Sequence, residues 1–245
     1  MKKVALVTGG ASGIGATVAE EFVSKNYHVI VYDVLGELEY KPIAGVEYVN
    51  GDVTDFSTVD QLFDYIANSY LRLDVLVCNA GILIEEEILS VTMHDFQRIL
   101  NVNTVSVLYF MQKSAQMMIK SGFGRILVAS SFASIIPSIK SGVYAASKLA
   151  LDSLVRVMAA ECGKYGITVN SYAPGMVPTN MSGIEQWDVD KKRRFLETLA
   201  IPYYGSPQDI ANLLIFLASE KSSYITGSKI EITGGKFAVQ FVQSI

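Results

Sequence analysis

The chain is short of the residues that build metal and redox centres. Its 245 residues include two cysteines and two histidines. Cys78 and Cys162 are far apart in sequence, His28 and His94 are isolated, and no Cys/His group has zinc spacing. Metal catalysis is therefore not expected, and the cysteines read as reduced core thiols. Charge of one sign is also missing. Twenty Lys+Arg against 24 Asp+Glu leave a formal net charge of -4, so nucleic acid and anionic membranes find no electrostatic footprint. No apolar run approaches bilayer length. The segment MKKVALVTGG carries a basic pair, but its apolar run of five ends in a glycine turn. A secretory core needs roughly seven or more such residues, so the segment reads as a strand and not a signal peptide. No low-complexity tract, linker, repeat or composition shift divides the chain. Half of it is hydrophobic, enough for a large core, and the expectation is one cytoplasmic domain over 1–245.

What is present is an alternation of short β-branched runs with longer helical patterns. Strands are predicted at Val4–Val7, Val29–Tyr32, Val46–Asn50, Val75–Cys78, Arg125–Ala129, Thr168–Tyr172 and Lys229–Thr233. Several are apolar throughout, as strands covered on both faces should be. Helical stretches include Gly15–Lys25, Asp95–Ser121, Gly142–Lys164 and Pro207–Ser219. This order demands right-handed crossovers and an α/β, doubly wound parallel sheet (Rossmann) of about seven strands with helices on both faces. Asp33 to Gly45, with Gly36 and Pro42, barely holds a crossover helix, so a loop or short helical turn beside an open adenine pocket is expected. The stretch 180–204 reads as irregular, with Gly183, Trp187 and the basic run Lys191–Arg194. Following a strand's carboxyl end, it is a natural substrate lid.

Directly after the first strand comes Thr8-Gly9-Gly10-Ala11-Ser12-Gly13-Ile14-Gly15, leading into a helix. Glycines there let the backbone turn sharply and let a pyrophosphate approach amides at a positive helix N-terminus. An ordinary βα turn is the bland alternative, but the strand-before, helix-after context favours a dinucleotide. Asp33 ends the second strand, where a carboxylate can accept from both adenosine ribose hydroxyls and repel a 2′-phosphate. No Arg or Lys occurs at Gly10–Ser12 or Val34–Gly36, which favours NAD over NADP. Asp52-Val53 and Asn79-Ala80-Gly81 fall at carboxyl ends of strands, on the ligand-binding edge of such a sheet.

Tyr144-Ala145-Ala146-Ser147-Lys148 opens a helix, and its spacing puts Tyr144 and Lys148 on one face. An ammonium beside a phenol lowers a pKa that starts near ~10, as proton exchange near neutrality requires. The spacing alone decides nothing, because Tyr109 and Lys113 repeat it. There a core tyrosine with a solvated lysine is the better reading. Context separates the two: Ser131, after Ser130 at the end of an apolar strand, precedes Tyr144 by thirteen residues, where Phe96 precedes Tyr109. A serine there can hold a substrate oxygen near the phenol. Asn103, between apolar neighbours in mid-helix, either holds a proton-relaying water for Lys148 or marks a cap or kink. Further on, Pro174-Gly175 breaks the sixth strand, and the Val177 backbone with the Thr179 hydroxyl can pair with a carboxamide.

In this order the motifs Thr-Gly-x-x-x-Gly-x-Gly, Asn-Ala-Gly, Ser–Tyr-x-x-x-Lys and Pro-Gly-x-x-x-Thr resemble the short-chain dehydrogenase/reductase family along nearly the whole chain. The resemblance implies a catalytic tetrad of Asn103, Ser131, Tyr144 and Lys148, with Lys148 also contacting the nicotinamide ribose. It implies cofactor contacts from Gly9, Ser12, Ile14, Asp33, Asp52, Val53, Asn79, Thr179 and the Val177 backbone. Gly13, Gly15, Ala80, Gly81 and Tyr144 complete the cofactor-binding set. It further implies a homo-oligomer, dimer or tetramer, built on the two long helices. The short stretch after Asp33 and Ile-Thr-Gly-Gly at 232–235 depart from the family pattern.

The expected activity is NAD(H)-dependent interconversion of a secondary alcohol (polyol, diol or cyclic alcohol) and a ketone, the shortened loop and the Met181/Trp187 lid resembling those of dihydrodiol dehydrogenases. A 3-oxoacyl-[acyl-carrier-protein] reductase is the alternative. Such enzymes usually take NADPH, and tend to carry basic residues where this chain has Gly122 and Tyr165; the run 191–194 would have to substitute. A non-catalytic dinucleotide sensor or scaffold is the other class, against which the retention of Ser131, Tyr144 and Lys148 argues.

Overall fold

The computed structural model describes residues 2–34, 40–236 and 238. Seven strands form one parallel sheet: β1 Val4–Thr8, β2 His28–Asp33, β3 Val46–Asn50, β4 Val75–Cys78, β5 Gly124–Ala129, β6 Ile167–Pro174 and β7 Lys229–Ile232. Their spatial order is β3-β2-β1-β4-β5-β6-β7. The predicted strands lie within a residue or two of these bounds. The register aligns Val7 with Val31 on one side and Val77 on the other.

Both faces are covered, which is why these strands show no polar alternation. Helices α1 (Gly13–Ser24) and, late in the chain, Pro207–Ala218 cover one face. There Val18, Phe22, Ile210 and Leu214 pack on Val7, Val31 and Leu127. On the other face, α2 (Phe56–Tyr70) and the long helices before β5 and after it bring Ile66, Phe110, Met111, Leu151 and Val155 onto Leu6, Ile30, Leu76 and Ile126. The periodicity reading leaves α2 unnamed. It starts where the Asp55 carboxylate caps the amides of Ser57 and Thr58.

Three differences from the sequence expectation have physical causes. The stretch expected as one helix over 95–121 comprises α3 (Met93–Leu100), a π-helical turn (Asn101–Val105) and α4 (Ser106–Ser121). Ser106 Oγ donates to the Val102 carbonyl at 2.6 Å, a side-chain bond that competes with the regular ladder, and Thr104 Oγ1 ties the turn to the Ser147 carbonyl of the helix after β5 at 3.0 Å. The helix expected over 142–164 is α5 (Gly142–Cys162), closed by a 3-10 turn at Gly163–Tyr165. The stretch 180–204 is less irregular than expected. It holds two 3-10 turns and α6 (Val189–Leu196), which the Asp188 carboxylate caps through Lys191 N–H; α7 is then Pro207–Ala218.

The expected loop between Asp33 and Gly45 lies partly outside the described residues. Its described end, Tyr40–Gly45, carries no helix, and the Tyr40 ring lies 4.9 Å from Tyr48. Among the described residues no helix is long and apolar enough to cross a membrane.

Candidate active site

The chain runs β1 to β3 in one direction along the sheet and then returns to place β4 on the other side of β1. The carboxyl ends of β1 and β4 therefore diverge at a switch point, where such sheets bind ligands. The glycine turn and the Asn79-Ala80-Gly81 turn meet there. Gly9 has φ +65, and a Cβ on it would lie 2.7 Å from Ala80 Cα. A Cβ on Gly15 would lie 2.1 Å from the Gly9 carbonyl oxygen. Only hydrogen fits at either place. Thr8 Oγ1 accepts from the amides of Asn79 and Ala80 at 3.1 and 3.2 Å. Asn79 Nδ2 donates to the Gly9 carbonyl at 2.8 Å, and Tyr172 O–H donates to Asn79 Oδ1 at 3.3 Å. The amide of Asn79 is thus fastened to the turn.

The remaining predicted cofactor residues ring this cradle. Ser12 precedes α1 without a side-chain cap of its own, which leaves the first-turn amides of Gly13, Ile14 and Gly15 at the positive end of the helix. Asp33 Oδ2 accepts from Ala11 N–H at 2.8 Å and Oδ1 from Val34 N–H at 2.8 Å, so the carboxylate is held at the edge of the turn. Asp52 Oδ1 accepts from the amide and the hydroxyl of Thr54 at 2.8 and 2.7 Å, with Val53 buried beside it. In the segment after β6, Val177 is buried, and a Cβ on Gly13 would lie 3.4 Å from Thr179 Cγ2. Thr179 N–H is held by Ser182 Oγ at 3.0 Å. These residues fit a dinucleotide: the cradle excludes side chains, offers amides and a helix terminus to a pyrophosphate, and presents one carboxylate beyond it.

The four candidate reacting residues come from the π turn, the end of β5 and α5. Ser131 caps a 3-10 turn, its Oγ accepting from Ala133 N–H at 3.1 Å. Tyr144 is half-buried and interacts with the Ser131 hydroxyl. Lys148 is buried, donates from Nζ to the Ala129 carbonyl at 2.8 Å and lies 5.9 Å from the Tyr144 ring centroid. Burial pushes the Tyr144 phenol above its ordinary value, and the Ser131 hydroxyl pulls it the other way. The sequence pattern assigned that lowering to Lys148. In the structure the ammonium is drawn back onto Ala129, and the serine carries the effect.

Asn103 is fully buried. Its Oδ1 accepts from Ile82 N–H at 2.8 Å, and its Nδ2 donates to the Ile82 carbonyl and to Ser147 Oγ at 2.9 and 3.1 Å. Ser147 in turn donates to the Tyr144 carbonyl at 2.6 Å. Asn103, in the π turn, therefore ties Ile82, directly after the Asn79-Ala80-Gly81 turn, to α5. A Cβ on Gly81 would meet Asn103 Oδ1 at 3.2 Å and Lys148 Nζ at 3.4 Å. Sequence reasoning did not single out Ser147 or Tyr172. Each is a polar side chain in a buried position, Ser147 inside the Tyr-x-x-x-Lys motif itself.

Burial also lowers the Lys148 ammonium to about 8. The unfolded chain holds that proton to about 10.4, so between those values the unfolded state is the more protonated and stability rises with pH. Thermal unfolding of wild type and Lys148→Met at about pH 7 and about pH 9.5 should show wild type gaining on the variant as pH rises. A constant difference between the two would contradict a buried, charged Lys148.

In the second Tyr/Lys pair the tyrosine packs against the core as expected, half-buried, while the lysine is ion-paired and not free. Tyr109 O–H donates to Asp60 Oδ1 at 2.7 Å and Lys113 Nζ lies 2.5 Å from the same oxygen. Asp60 raises both groups above their ordinary values, the opposite of an activated phenol. In the stretch 180–204, Trp187 meets Phe195 at 5.7 Å and Phe195 stacks on Tyr204 at 5.8 Å. Of the basic run, Lys191 lies over Trp187 and Arg193 pairs with exposed Asp190 and Glu197.

Residues 9–236 match a family model described as enoyl-(acyl carrier protein) reductase. A 3-oxoacyl-[acyl-carrier-protein] reductase of Aquifex aeolicus is 32% identical over 96% of this chain and 97% of its own. An L-2,3-butanediol dehydrogenase of Corynebacterium glutamicum is 34% identical over 96% of this chain and 98% of its own. Among solved structures, a 4-hydroxyisoleucine dehydrogenase complexed with NADH is 28% identical, with TM-score 0.90 over 98% of this chain and all of its own. A structure of ElxO with NADPH bound is 29% identical, with TM-score 0.88 over 98% and 100%.

Proposed function

The chain belongs to the short-chain dehydrogenase/reductase family and is an oxidoreductase of CH–OH groups that uses a nicotinamide dinucleotide, and from that premise we propose that it interconverts a secondary alcohol and a ketone with NAD(H), using Tyr144 as the acid/base. The observation that carries this is the meeting of Ser131, Tyr144 and Lys148 beside the glycine cradle.

The cradle residues Gly9, Ser12, Gly13, Ile14 and Gly15 would hold the pyrophosphate, Asp33 the adenosine ribose, Asp52 and Val53 the adenine side, and Asn79, Ala80, Gly81, Val177 and Thr179 the nicotinamide half. Bound there, the nicotinamide supplies the hydride acceptor or donor. The protein's own part is proton transfer and positioning. The Ser131 hydroxyl holds the substrate oxygen; in oxidation the Tyr144 phenolate takes the alcohol proton and becomes the phenol, and in reduction the Tyr144 phenol gives a proton to the ketone oxygen and becomes the phenolate. Lys148 keeps a positive charge near that exchange and would hold the nicotinamide ribose. Asn103 holds the Gly81 turn against α5, so the two halves of the site keep their spacing.

Asp33 supports NAD over NADP. A carboxylate fixed at the edge of the turn accepts ribose hydroxyls and repels a 2′-phosphate. Asp33→Ser should raise kcat/KM for NADPH relative to NADH by about a hundredfold, on the order of 3 kcal/mol of relieved repulsion. A wild-type preference for NADPH would refute the assignment.

For the substrate, the reading is a small diol, polyol or cyclic alcohol. Within that set, Ile136 and Ile139, exposed on the segment between Ser131 and Tyr144, favour a diol or cyclic alcohol with ring or alkyl groups over a polyol. The resemblance to a carrier-protein reductase supports the second reading, an acyl-thioester substrate. A panel of butane-2,3-diol, cyclohexanol, polyols and acetoacetyl thioesters with both cofactors separates them. Preferential turnover of the thioester with NADPH would install the second reading, and NADH binding with no turnover at all would install a sensor. The exposed apolar residues Ile119, Leu149 and Val157 on α4 and α5 support a homo-oligomer, dimer or tetramer, built on those helices.

A further inference from the structure

Behind the Ser131 turn lies an ionic cluster that no step above uses. Asp152 sits on α5 one helical turn after Lys148 and is 6% exposed. Lys229 of β7 reaches it, with Nζ 3.0 Å from Asp152 Oδ2. The other oxygen, Oδ1, accepts from Ser171 Oγ of β6 at 3.1 Å. Ser134 joins this pair to the reacting centre: its hydroxyl lies 2.9 Å from Asp152 Oδ2 and 2.8 Å from the Ser131 carbonyl. The Ser134 oxygen also lies 3.1 Å from Ser130 Oγ, and it accepts from Lys229 Nζ at 3.3 Å. Four parts of the fold, the end of β5, α5, β6 and β7, thus meet on one carboxylate.

A buried ion pair is a poor device for stability, since apolar side chains of similar volume serve as well or better. Its charge is therefore informative where it stands beside another charge. The groups facing Lys148 are Tyr144 and Asp152 on α5, Cys78 on β4, the Ala129 carbonyl on β5 and Asn103 across Gly81. Burial pushes the Cys78 thiol up and keeps it neutral, which leaves Asp152 as the anion among them.

We propose that Asp152, clamped by Lys229, is a positioning residue for the Ser131–Tyr144–Lys148 centre: it holds the turn that carries Ser131 and fixes a negative charge one helical turn from the Lys148 ammonium. The proposal rests on the oxidoreductase reading for its purpose, but not for its test.

Selective 13Cε-lysine labelling follows the titration of Lys148, identified as the resonance missing in Lys148→Arg. Asp152→Asn removes a nearby negative charge and should lower the midpoint by about half a unit or more. Lys229→Met removes a positive one and should raise it, Asp152→Asn/Lys229→Met should return it toward wild type, and Lys229→Arg should leave it in place. In kinetics, Asp152→Asn should lower kcat at least about fivefold with KM for NADH within about twofold, as loss of positioning without loss of cofactor binding. Midpoints that stay put or move together in the two single variants would overturn the charge assignment, as would a Lys229→Arg protein that behaves like Lys229→Met. An unchanged kcat in Asp152→Asn would overturn the hold on Ser131. The titration needs no substrate, so a wild type that turns nothing over sinks the oxidoreductase reading and still leaves this proposal decided.

Discussion

Tyr144→Phe is expected to lower turnover by about three orders of magnitude or more while changing NADH affinity by less than about threefold. The substitution removes one oxygen and keeps the ring, so the half-buried packing of Tyr144 on α5 survives. What is lost is the hydroxyl that meets Ser131, the one group placed to carry the substrate proton. Initial rates with a reactive ketone and NADH, alongside a fluorescence titration of NADH, measure both quantities. Tyr109→Phe is the matched control. It removes a hydrogen bond to Asp60, which Lys113 continues to hold, and turnover should stay within about twofold of wild type. Wild-type turnover in Tyr144→Phe would remove the basis of the mechanism.

Gly15→Ala is expected to cost on the order of 3 kcal/mol of stability and to weaken NADH binding by about a hundredfold. Its Cβ would lie 2.1 Å from the Gly9 carbonyl oxygen, 2.6 Å from Asn79 Nδ2 and 2.9 Å from Gly10 Cα. Two of these atoms are backbone, so no rotamer change relieves the overlap. Either the glycine turn opens or α1 moves off the sheet, and each outcome dismantles the row of amides at the helix terminus. Gly122→Ala is a useful contrast: it closes α4 with φ +66 and nothing lies within 4 Å of its added Cβ, so it should bring backbone strain of about 1 kcal/mol with no effect on NADH. Thermal unfolding and NADH titration of both variants test the claim. Near-native NADH affinity in Gly15→Ala would show that the cradle is not the cofactor site.

Much of this was legible because the relevant constraints are local. An apolar run before Gly9 and a helical pattern after Gly15 announce a βα turn, and the turn's chemistry follows from which residues tolerate close backbone approach. The seven strands were legible for a related reason: buried parallel strands are continuous in Val, Ile and Leu. The π turn was not, since Asn103 signals trouble in a helix without saying which kind. Its clamp to Ile82 and Ser147 depends on partners 21 and 44 residues away. The electrostatics of Tyr144 were misassigned for the same reason. The i, i+4 spacing brings Lys148 to the correct face, but where its ammonium points is decided by the Ala129 carbonyl on another element. Asp152 was hidden because one carboxylate on a helix usually faces water, and only the arrival of β7 at the sheet edge makes it internal.

The π turn at Asn101–Val105 also has a consequence for how this molecule tolerates insertions and deletions. A residue added to an α-helix rotates everything downstream by about 100°. The wide turn absorbs such an increment between α3 and α4, so the two segments present faces that a regular helix of the same length could not present together. Excising one residue from 101–105 should therefore not shorten the helix quietly. It would swing either Asn103 away from Ile82 or the Phe110–Met111 face away from the sheet, and the chain would have to choose between its clamp and its core.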